Sequence, residues 1–156
     1  MKITRAKRLE GSAVLPGDKS VSHRAALLGA IAEGRTVISN FASSADCAST
    51  LGCLASLGVE IEREGDNVTV MGRGKRGLTA PSSGLDCGNS GTTARLLSGI
   101  LAGHPFRSVL DGDDSLRSRP MKRIIEPLRL MGAELTTATG TLPMEIEGAA
   151  ELKAIN

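Results

Sequence analysis

Hydrophobic and polar positions follow two periods along this chain, and the same succession of periods occurs twice. Apolar residues at helical spacing alternate with short runs in which every second residue is apolar, which predicts helices interleaved with strands. In the first half the predicted elements are a helix over 22–33, a strand over 36–40, a helix over 45–57 and a hairpin of 59–64 with 67–71.

The second half repeats this order of elements. The predicted elements are a helix over 91–102, a strand over 107–110, a helix over 119–131 and a hairpin of 133–137 with 142–147. Landmarks recur about 70 residues apart: Leu27-Leu28 matches Leu96-Leu97, and the residues 58–61 match 132–135. A repeat of this length indicates like units that stack on a shared core.

These elements predict an α/β (α+β) fold made of repeated β-α-β-α-β-β units. The first unit is placed at residues 16–78 and the second at residues 85–150. A linker rich in Gly, Pro and Ser joins them within 72–84.

Composition narrows the class of protein. The chain has 156 residues, of which 40% are hydrophobic and 23% charged, which is typical of one globular domain. Two Phe with no Tyr or Trp argue against a platform that stacks single-stranded nucleic acid. A net charge of +2, from 19 basic and 17 acidic residues, is too balanced for a general nucleic-acid binder.

Three cysteines, at positions 47, 53 and 87, form no C-x-x-C pair, and the two histidines stand apart from them. They are interpreted as buried thiols of a protein in the reducing cytoplasm, and no metal site is expected. The N-terminal residues have no apolar core typical of a signal peptide. No apolar run approaches the roughly 20 residues of a membrane span.

Two segments resemble nucleotide-binding motifs in part of their sequence pattern but lack other features that those motifs require. Residues 72–77 read G-x-G-x-x-G, but Pro81 follows too soon for the helix that a dinucleotide fingerprint needs. Residues 17–20 suggest a P-loop, yet Asp18 and Ala13 stand where that motif has glycines. Neither segment predicts a nucleotide site, and 72–77 is interpreted as a basic surface loop.

The start of the first helix carries Lys19, Ser20 and Arg24 after a turn that contains Gly17. Free N–H groups and the dipole at a helix start attract anions, and lysine and arginine add charge. An anion site is one interpretation. A capped helix with solvated charges is the other, and the local sequence leaves both open.

The residues 89–93 open the corresponding helix of the second half. Ser90 or Asn89 can cap this helix, and Gly91 lets a ligand approach the backbone closely. The alternative interpretation is a helix cap alone. Because this position corresponds to the start of the first helix, the two helix starts are predicted to face one site.

A third polar segment, 111–120, contains Arg117 and Arg119 before Pro120. Proline is common at a helix start, where two arginines would oppose the helix dipole. A bound anion would offset that repulsion, so one of the two arginines is interpreted as a ligand-binding residue. The segment lacks the Gly and Glu positions of a calcium-binding loop.

Three segments together resemble the EPSP synthase family: 15–24 (LPGDKSVSHR), 88–95 (GNSGTTAR) and 116–120 (LRSRP). Their order and spacing match, and the likeness covers essentially the whole chain. The enolpyruvyl transferase that acts on UDP-N-acetylglucosamine shares the fold and is the second choice. Its mobile loop carries a catalytic cysteine, and 111–120 has none.

The resemblance implies two domains, each of three β-α-β-α-β-β units, of which this chain holds two. Residues 1–15 are then a strand of the second domain, and 151–156 the truncated start of a third unit. The chain is expected to be an incomplete N-terminal portion of such an enzyme, inactive alone; the alternative is a non-catalytic anion-binding fragment. Apolar helix faces around Leu27, Ile31, Leu97 and Ile100 are expected to be uncovered, which predicts self-association.

The resemblance also implies residue roles. Lys19 is the implied catalytic residue and contacts both substrates, Ser20 and Arg24 bind shikimate 3-phosphate, Gly91 and Arg119 bind phosphoenolpyruvate, and Asn89 and Arg95 support the loop. The implied reaction adds the 5-hydroxyl of shikimate 3-phosphate to the enolpyruvyl carbon and then releases phosphate, with no cofactor or metal. It belongs to aromatic amino-acid biosynthesis, and glyphosate inhibits the family.

Overall fold

The computed structural model describes Arg8 and residues 10–155 of the chain. The helices are α1 Lys19–Ile31, α2 Ala45–Ser56, α3 Gly91–Leu101, α4 Asp114–Arg117 and α5 Lys122–Leu130. The strands are β1 Glu33–Ile38, β2 Glu60–Glu64, β3 Asn67–Arg73, β4 Leu85–Asp86, β5 Arg107–Asp111, β6 Glu134–Thr137 and β7 Met144–Glu147. None of the described helices combines the length and hydrophobicity that crossing a membrane requires.

The strands form two sheets, and the predicted α/β fold is confirmed. One sheet has three antiparallel strands in the order β1-β3-β2. The other has four strands in the order β4-β5-β7-β6, in which only β4 and β5 run parallel. The orders β1-β3-β2 and β5-β7-β6 correspond, which supports the predicted division into units at 16–78 and 85–150; the boundaries themselves stay a prediction.

The two halves differ at their first strand. In the second half β4 precedes α3, whereas the described residues 10–18 before α1 include no strand. The predicted leading strand of the first unit is therefore absent from that described part. Most of the segment 1–15, predicted as a strand of another domain, lies outside the described residues. At the other end, residues 151–155 are neither helix nor strand.

Capping residues explain where the helices begin. The structure starts α1 at Lys19, earlier than the predicted 22–33, because Asp18 Oδ1 accepts a hydrogen bond of 2.7 Å from the N–H of Val21. Helix α3 begins at Gly91, as predicted, and Ser90 Oγ caps it by accepting 3.1 Å from the N–H of Thr93. The two helix starts that the sequence singled out are thus both capped by side chains.

The predicted helix over 119–131 is present, but it begins later than predicted. A short α4 comes first, capped by Asp113 Oδ1, which accepts 2.7 Å from the N–H of Leu116, and α5 begins only at Lys122. Arg117 consequently lies in the last turn of α4, where a cation is favoured by the helix dipole. The repulsion inferred for two arginines at one helix start therefore does not exist.

The helices pack against the sheets, and the core contains the inward faces of both. Gly72 in β3 and Gly148 after β7 allow a close approach between helix and sheet. A Cβ at Gly72 would collide with the carbonyl oxygens of Gly29 and Ala32 at the end of α1. A Cβ at Gly148 would collide in the same way with the carbonyls at the end of α3. The three cysteines are buried, as predicted.

An apolar cleft of about 230 Å³ separates α1 from α3 on the surface. Its lining residues are Arg24, Leu27, Leu28, Ile31, Leu96 and Ile100. Apolar faces were predicted to be uncovered around Leu27, Ile31, Leu97 and Ile100. Leu27, Ile31 and Ile100 line this cleft, whereas Leu97 does not, and Leu27 and Leu97 are themselves only 3% and 0% exposed. Leu28 and Leu96 are the exposed members of the pairs Leu27-Leu28 and Leu96-Leu97, and both also line this cleft.

Self-association of the 156-residue polypeptide stays a prediction, and this cleft is where we expect it. Leu28, 62% exposed, should contribute apolar contact area across the interface, so Leu28→Lys should shift the polypeptide toward monomer. Sedimentation velocity over a concentration series measures the shift. Leu130 is 71% exposed and lies on α5 outside the cleft, so Leu130→Lys is the matched control. A wild-type polypeptide that stays monomeric throughout the series would contradict the prediction.

Candidate anion-binding site

The starts of α1 and α2 are joined by an ion pair. Lys19, the first residue of α1, contacts Asp46 Oδ2 through its Nζ, and Asp46 lies in the first turn of α2. The lysine side chain remains 50% exposed, so this pairing leaves it accessible to a ligand. Sequence reasoning missed Asp46. Its position in a first helical turn, where acidic residues are favoured, was the available signal.

Hydrogen bonds also join the starts of α2 and α3. The hydroxyl of Thr93 donates to the backbone carbonyl of Asp46 over 3.3 Å, and it lies 2.7 Å from the hydroxyl of Ser90, the α3 cap. The three helices contact one another pairwise. Lys19 and Gly91 thus stand at neighbouring helix starts, connected through Asp46, Thr93 and Ser90.

The guanidinium group of Arg119 lies over the start of α3. Gly91 is buried, and a Cβ added to it would stand 3.3 Å from Arg119 Nη1 and 3.8 Å from Leu116 Cδ1. The absence of a side chain at Gly91 therefore leaves room for the arginine and for any group that it binds. This contact brings together two residues that are far apart in the sequence.

Asn89 holds Arg119 in this position. Arg119 Nη2 donates to Asn89 Oδ1 over 2.6 Å and to Ser115 Oγ over 3.3 Å. Asn89 Nδ2 donates in turn to Asp113 Oδ2 over 2.7 Å. Among residues 10–155, Arg119 Nη1 has no hydrogen-bond acceptor, so that edge of the guanidinium is free to bind an anion.

Asp113 fixes which way the Asn89 amide points. Hydrogen bonds from the Asn89 amide and from the backbone N–H of Leu116 lower the pKa of Asp113, with a smaller contribution from the charge of Arg119. The carboxylate is therefore ionised at neutral pH and only accepts hydrogen bonds. Asn89 must present its NH₂ to Asp113, which turns its oxygen toward Arg119.

Arg117 is engaged in a different way from Arg119. Its Nε and Nη2 donate to the two carboxylate oxygens of Asp111 over 2.8 and 2.7 Å, and Asp114 lies 3.8 Å from Nη1. The Arg117 hydrogen bonds, aided by the N–H of Gly112, lower the pKa of Asp111. Of the two arginines in 111–120, Arg117 is neutralised within the fold, and Arg119 keeps a free edge.

The remaining predicted site residues stand apart from this network. Ser20, Arg24 and Arg95 are exposed, and none of their side chains makes a hydrogen bond or ion pair within the part of the chain that the structure describes. Ser20 and Arg24 lie one turn apart on the same face of α1. Arg24 also borders the cleft between α1 and α3.

Three adjacent helix starts, two cationic side chains and a buried glycine form a candidate anion site in an α/β protein. A sequence profile of EPSP synthase (3-phosphoshikimate 1-carboxyvinyltransferase) matches residues 3–156. The chain belongs to the EPSP synthase family.

Individual relatives agree with this assignment. The chain is 61% identical over 133 residues to the 3-phosphoshikimate 1-carboxyvinyltransferase of Herpetosiphon aurantiacus, covering 85% of this chain and 31% of that protein. It is 51% identical over 158 residues to that of Bacillus licheniformis, covering 100% of this chain and 37% of the relative. The structure of EPSP synthase from Acinetobacter baumannii matches with a TM-score of 0.87 at 50% identity, over 93% of this chain and 33% of that one. The chain therefore spans about a third of the length of the relatives it matches.

Proposed function

We propose that this chain supplies part of an active site that transfers the enolpyruvyl group of phosphoenolpyruvate to the 5-hydroxyl of shikimate 3-phosphate. The observation that carries the proposal is the free Nη1 edge of Arg119, held beside Gly91 at the start of α3. The naming of the relatives as 3-phosphoshikimate 1-carboxyvinyltransferases supports the choice of reaction.

Phosphoenolpyruvate is placed between Lys19, Gly91 and Arg119. The molecule carries a carboxylate and a phosphate, and a guanidinium binds either group through paired N–H donors. The start of α3 adds its dipole and free backbone N–H groups. Gly91 allows the ligand to reach that backbone.

Shikimate 3-phosphate is placed on α1, where Lys19, Ser20 and Arg24 line the exposed side of the first two turns. Their side chains have the donors that a phosphate group requires. Lys19 lies closest to the start of α2 and is assigned to both substrates, as the catalytic residue. Asn89 is assigned to hold Arg119 and Arg95 to support the same loop, although Arg95 makes no such contact within residues 10–155.

The chemistry fits a site built from cations. The 5-hydroxyl oxygen loses its proton and forms a bond to C2 of phosphoenolpyruvate while C3 gains a proton. C3 then loses a proton as the bond from C2 to the phosphate oxygen breaks, so that the net proton from the hydroxyl leaves with the phosphate. This addition and elimination changes no net oxidation state, so no redox cofactor takes part. Lys19 and Arg119 stabilise the negative charge of both substrates and of the departing phosphate.

The setting of this activity is part of the proposal. The reaction would serve aromatic amino-acid biosynthesis, and its two substrates are small anions. The three free, buried cysteines are typical of a reducing compartment, which supports a cytoplasmic location.

Replacing the matching N-terminal third of the Acinetobacter baumannii enzyme by residues 16–155 of this chain tests the proposal. We expect the chimera to release phosphate from the two substrates with kcat/KM within about tenfold of the parent enzyme. The isolated 156-residue polypeptide should show no turnover, since it spans about a third of its relatives. A chimera that folds as the parent does, binds neither substrate and releases no phosphate would refute the proposed function.

A further inference from the structure

A buried histidine lies one turn beyond Lys19 on α1. His23 is 0% exposed, and its Nδ1 is 2.6 Å from the hydroxyl of Thr50 on α2. Its other ring nitrogen, Nε2, is buried and has no partner within residues 10–155. Burying a polar group is costly unless it is hydrogen-bonded. The contact between His23 and Thr50 is therefore expected to have a structural role.

The contact continues as a chain of hydroxyl groups across three helices. Thr50 Oγ1 lies 2.7 Å from Thr93 Oγ1 on α3, and Thr93 Oγ1 lies 2.7 Å from Ser90 Oγ at the α3 cap. Thr93 also reaches the carbonyl of Asp46 over 3.3 Å. His23, Thr50, Thr93 and Ser90 are all 0% exposed. This row of hydrogen-bonded side chains therefore runs through the interior from α1 to Ser90, the residue just before Gly91.

The direction of the protons follows from the donors available. A buried N–H without a partner is rarer in proteins than an unpaired acceptor. We therefore assign the His23 proton to Nδ1 and leave Nε2 unprotonated. His23 then donates to Thr50, and Thr50 has its own proton free for Thr93. Thr93 donates to the Asp46 carbonyl or to Ser90. His23, Thr50 and Thr93 thus donate toward the starts of α2 and α3, and Ser90 Oγ accepts at the α3 cap.

The charge state of His23 agrees with this order. Burial lowers the pKa of His23 and the charge of Lys19 lowers it further, against an opposing contribution from Asp46. The ring is therefore neutral at pH 7 and has one donor and one acceptor nitrogen.

We propose that His23, Thr50 and Thr93 are positioning residues that fix the start of α3, with Gly91, relative to the start of α1, with Lys19. The proposal rests on the proposed function, since it concerns the distance between two groups assigned to the same anion. Lys19 and His23 are one turn apart on α1, and both contact α2. Ser90 caps α3, and its hydroxyl is hydrogen-bonded to Thr93, the last of the three residues. Removing a middle hydroxyl disconnects the two ends.

The test uses a full-length enzyme that carries this chain. Thr50→Val keeps the side-chain shape and removes the hydroxyl, and should raise the KM for phosphoenolpyruvate about tenfold, which is the order of one buried hydrogen bond. The value of kcat should change by less than about threefold, because the hydrogen-bonded side chains of His23, Thr50 and Thr93 touch no reacting atom. Thr50→Ser keeps the hydroxyl and should restore the KM.

A matched control separates positioning from loss of a buried hydroxyl. Ser98 is buried on α3, and its hydroxyl donates only to the carbonyl of Ala94 in the same helix, over 2.6 Å. Ser98→Ala should leave the KM unchanged. The pair Thr93→Val and Thr93→Ser repeats the comparison if a Thr50 variant fails to fold.

A double-mutant cycle gives the second measurement. His23 and Thr93 are connected through Thr50, so the effects of His23→Phe and Thr93→Val on the KM should be less than additive. The inference is overturned if folded Thr50→Val and Thr93→Val enzymes keep the normal KM, or if the serine variants are as impaired as the valine variants. Arg119→Ala in the same enzyme tests the site assignment separately, because a normal KM in that variant would show that phosphoenolpyruvate is bound elsewhere, whatever the threonine variants do.

Discussion

Arg119→Ala in a full-length enzyme that carries this chain is expected to reduce kcat/KM for phosphoenolpyruvate by roughly 10- to 150-fold. A charge-assisted hydrogen bond to an anion is worth roughly 1.5–3 kcal/mol, and Arg119 offers a free Nη1 edge for one. Lys19→Ala should cause a loss in the same range. Steady-state kinetics with each substrate varied in turn, together with a thermal unfolding curve, measures the effect on binding apart from folding.

Arg117→Ala is the matched control for Arg119→Ala. The two arginines are close in sequence, but Arg117 donates hydrogen bonds to both carboxylate oxygens of Asp111. Because this pair is partly exposed and screened by solvent, its loss should change stability only slightly and leave kcat/KM nearly unchanged. Normal kinetics in both Arg119→Ala and Lys19→Ala would show that the anion is bound elsewhere.

The helices that begin at a capping residue were the most predictable part of this fold. Helix α3 starts at Gly91, where the sequence placed it, because Ser90 is a strong cap. Helix α1 starts earlier than predicted. Asp18 is also a strong cap, but the apolar pattern that guided the prediction begins only after the polar first turn.

The segment 111–120 was predicted least well, for a physical reason. Proline at position 120 suggested a helix start, but Asp113 caps a separate short helix before it. The argument that selected an arginine as a ligand relied on a dipole repulsion that the fold does not contain. The contacts of the two arginines instead separate them: Arg117 meets Asp111, and Arg119 meets Asn89.

The contacts between distant residues could not be predicted from local pattern. Asp46 lies 27 residues beyond Lys19, and only the packing of α2 against α1 brings their charges together. The same packing creates the His23–Thr50 contact. A histidine in a helix that carries several apolar residues gives no signal of its partner, because the partner is on another element.

Gly91→Ala is expected to weaken inhibition by glyphosate by roughly 5- to 150-fold, which corresponds to an overpacking cost of about 1–3 kcal/mol. The inhibitor is placed where phosphoenolpyruvate binds, and it is somewhat longer than that substrate. The new methyl group would stand 3.3 Å from Arg119 Nη1, a tight contact that requires the guanidinium to move by a few tenths of an ångström. Both the space at the helix start and the position of the binding cation would change.

The longer inhibitor should lose more affinity than the substrate. A methyl group at the helix start shortens the space between the backbone and Arg119, and a shorter ligand can still occupy what remains. The KM for phosphoenolpyruvate should therefore rise by a smaller factor than the inhibition constant. The ratio of the two constants measures specificity and does not depend on how much active enzyme is present.

Gly99→Ala is the control that isolates the position of the added methyl group. Gly99 lies on the same helix, α3, and a Cβ there would meet no atom within 4 Å in the described structure. That variant should keep the inhibition constant and gain up to about 1 kcal/mol of stability from better helix propensity. Inhibition constants and KM values are then compared among the parent, Gly91→Ala and Gly99→Ala. An unchanged inhibition constant in Gly91→Ala would place Gly91 outside the ligand site and leave residues 89–93 as a helix cap.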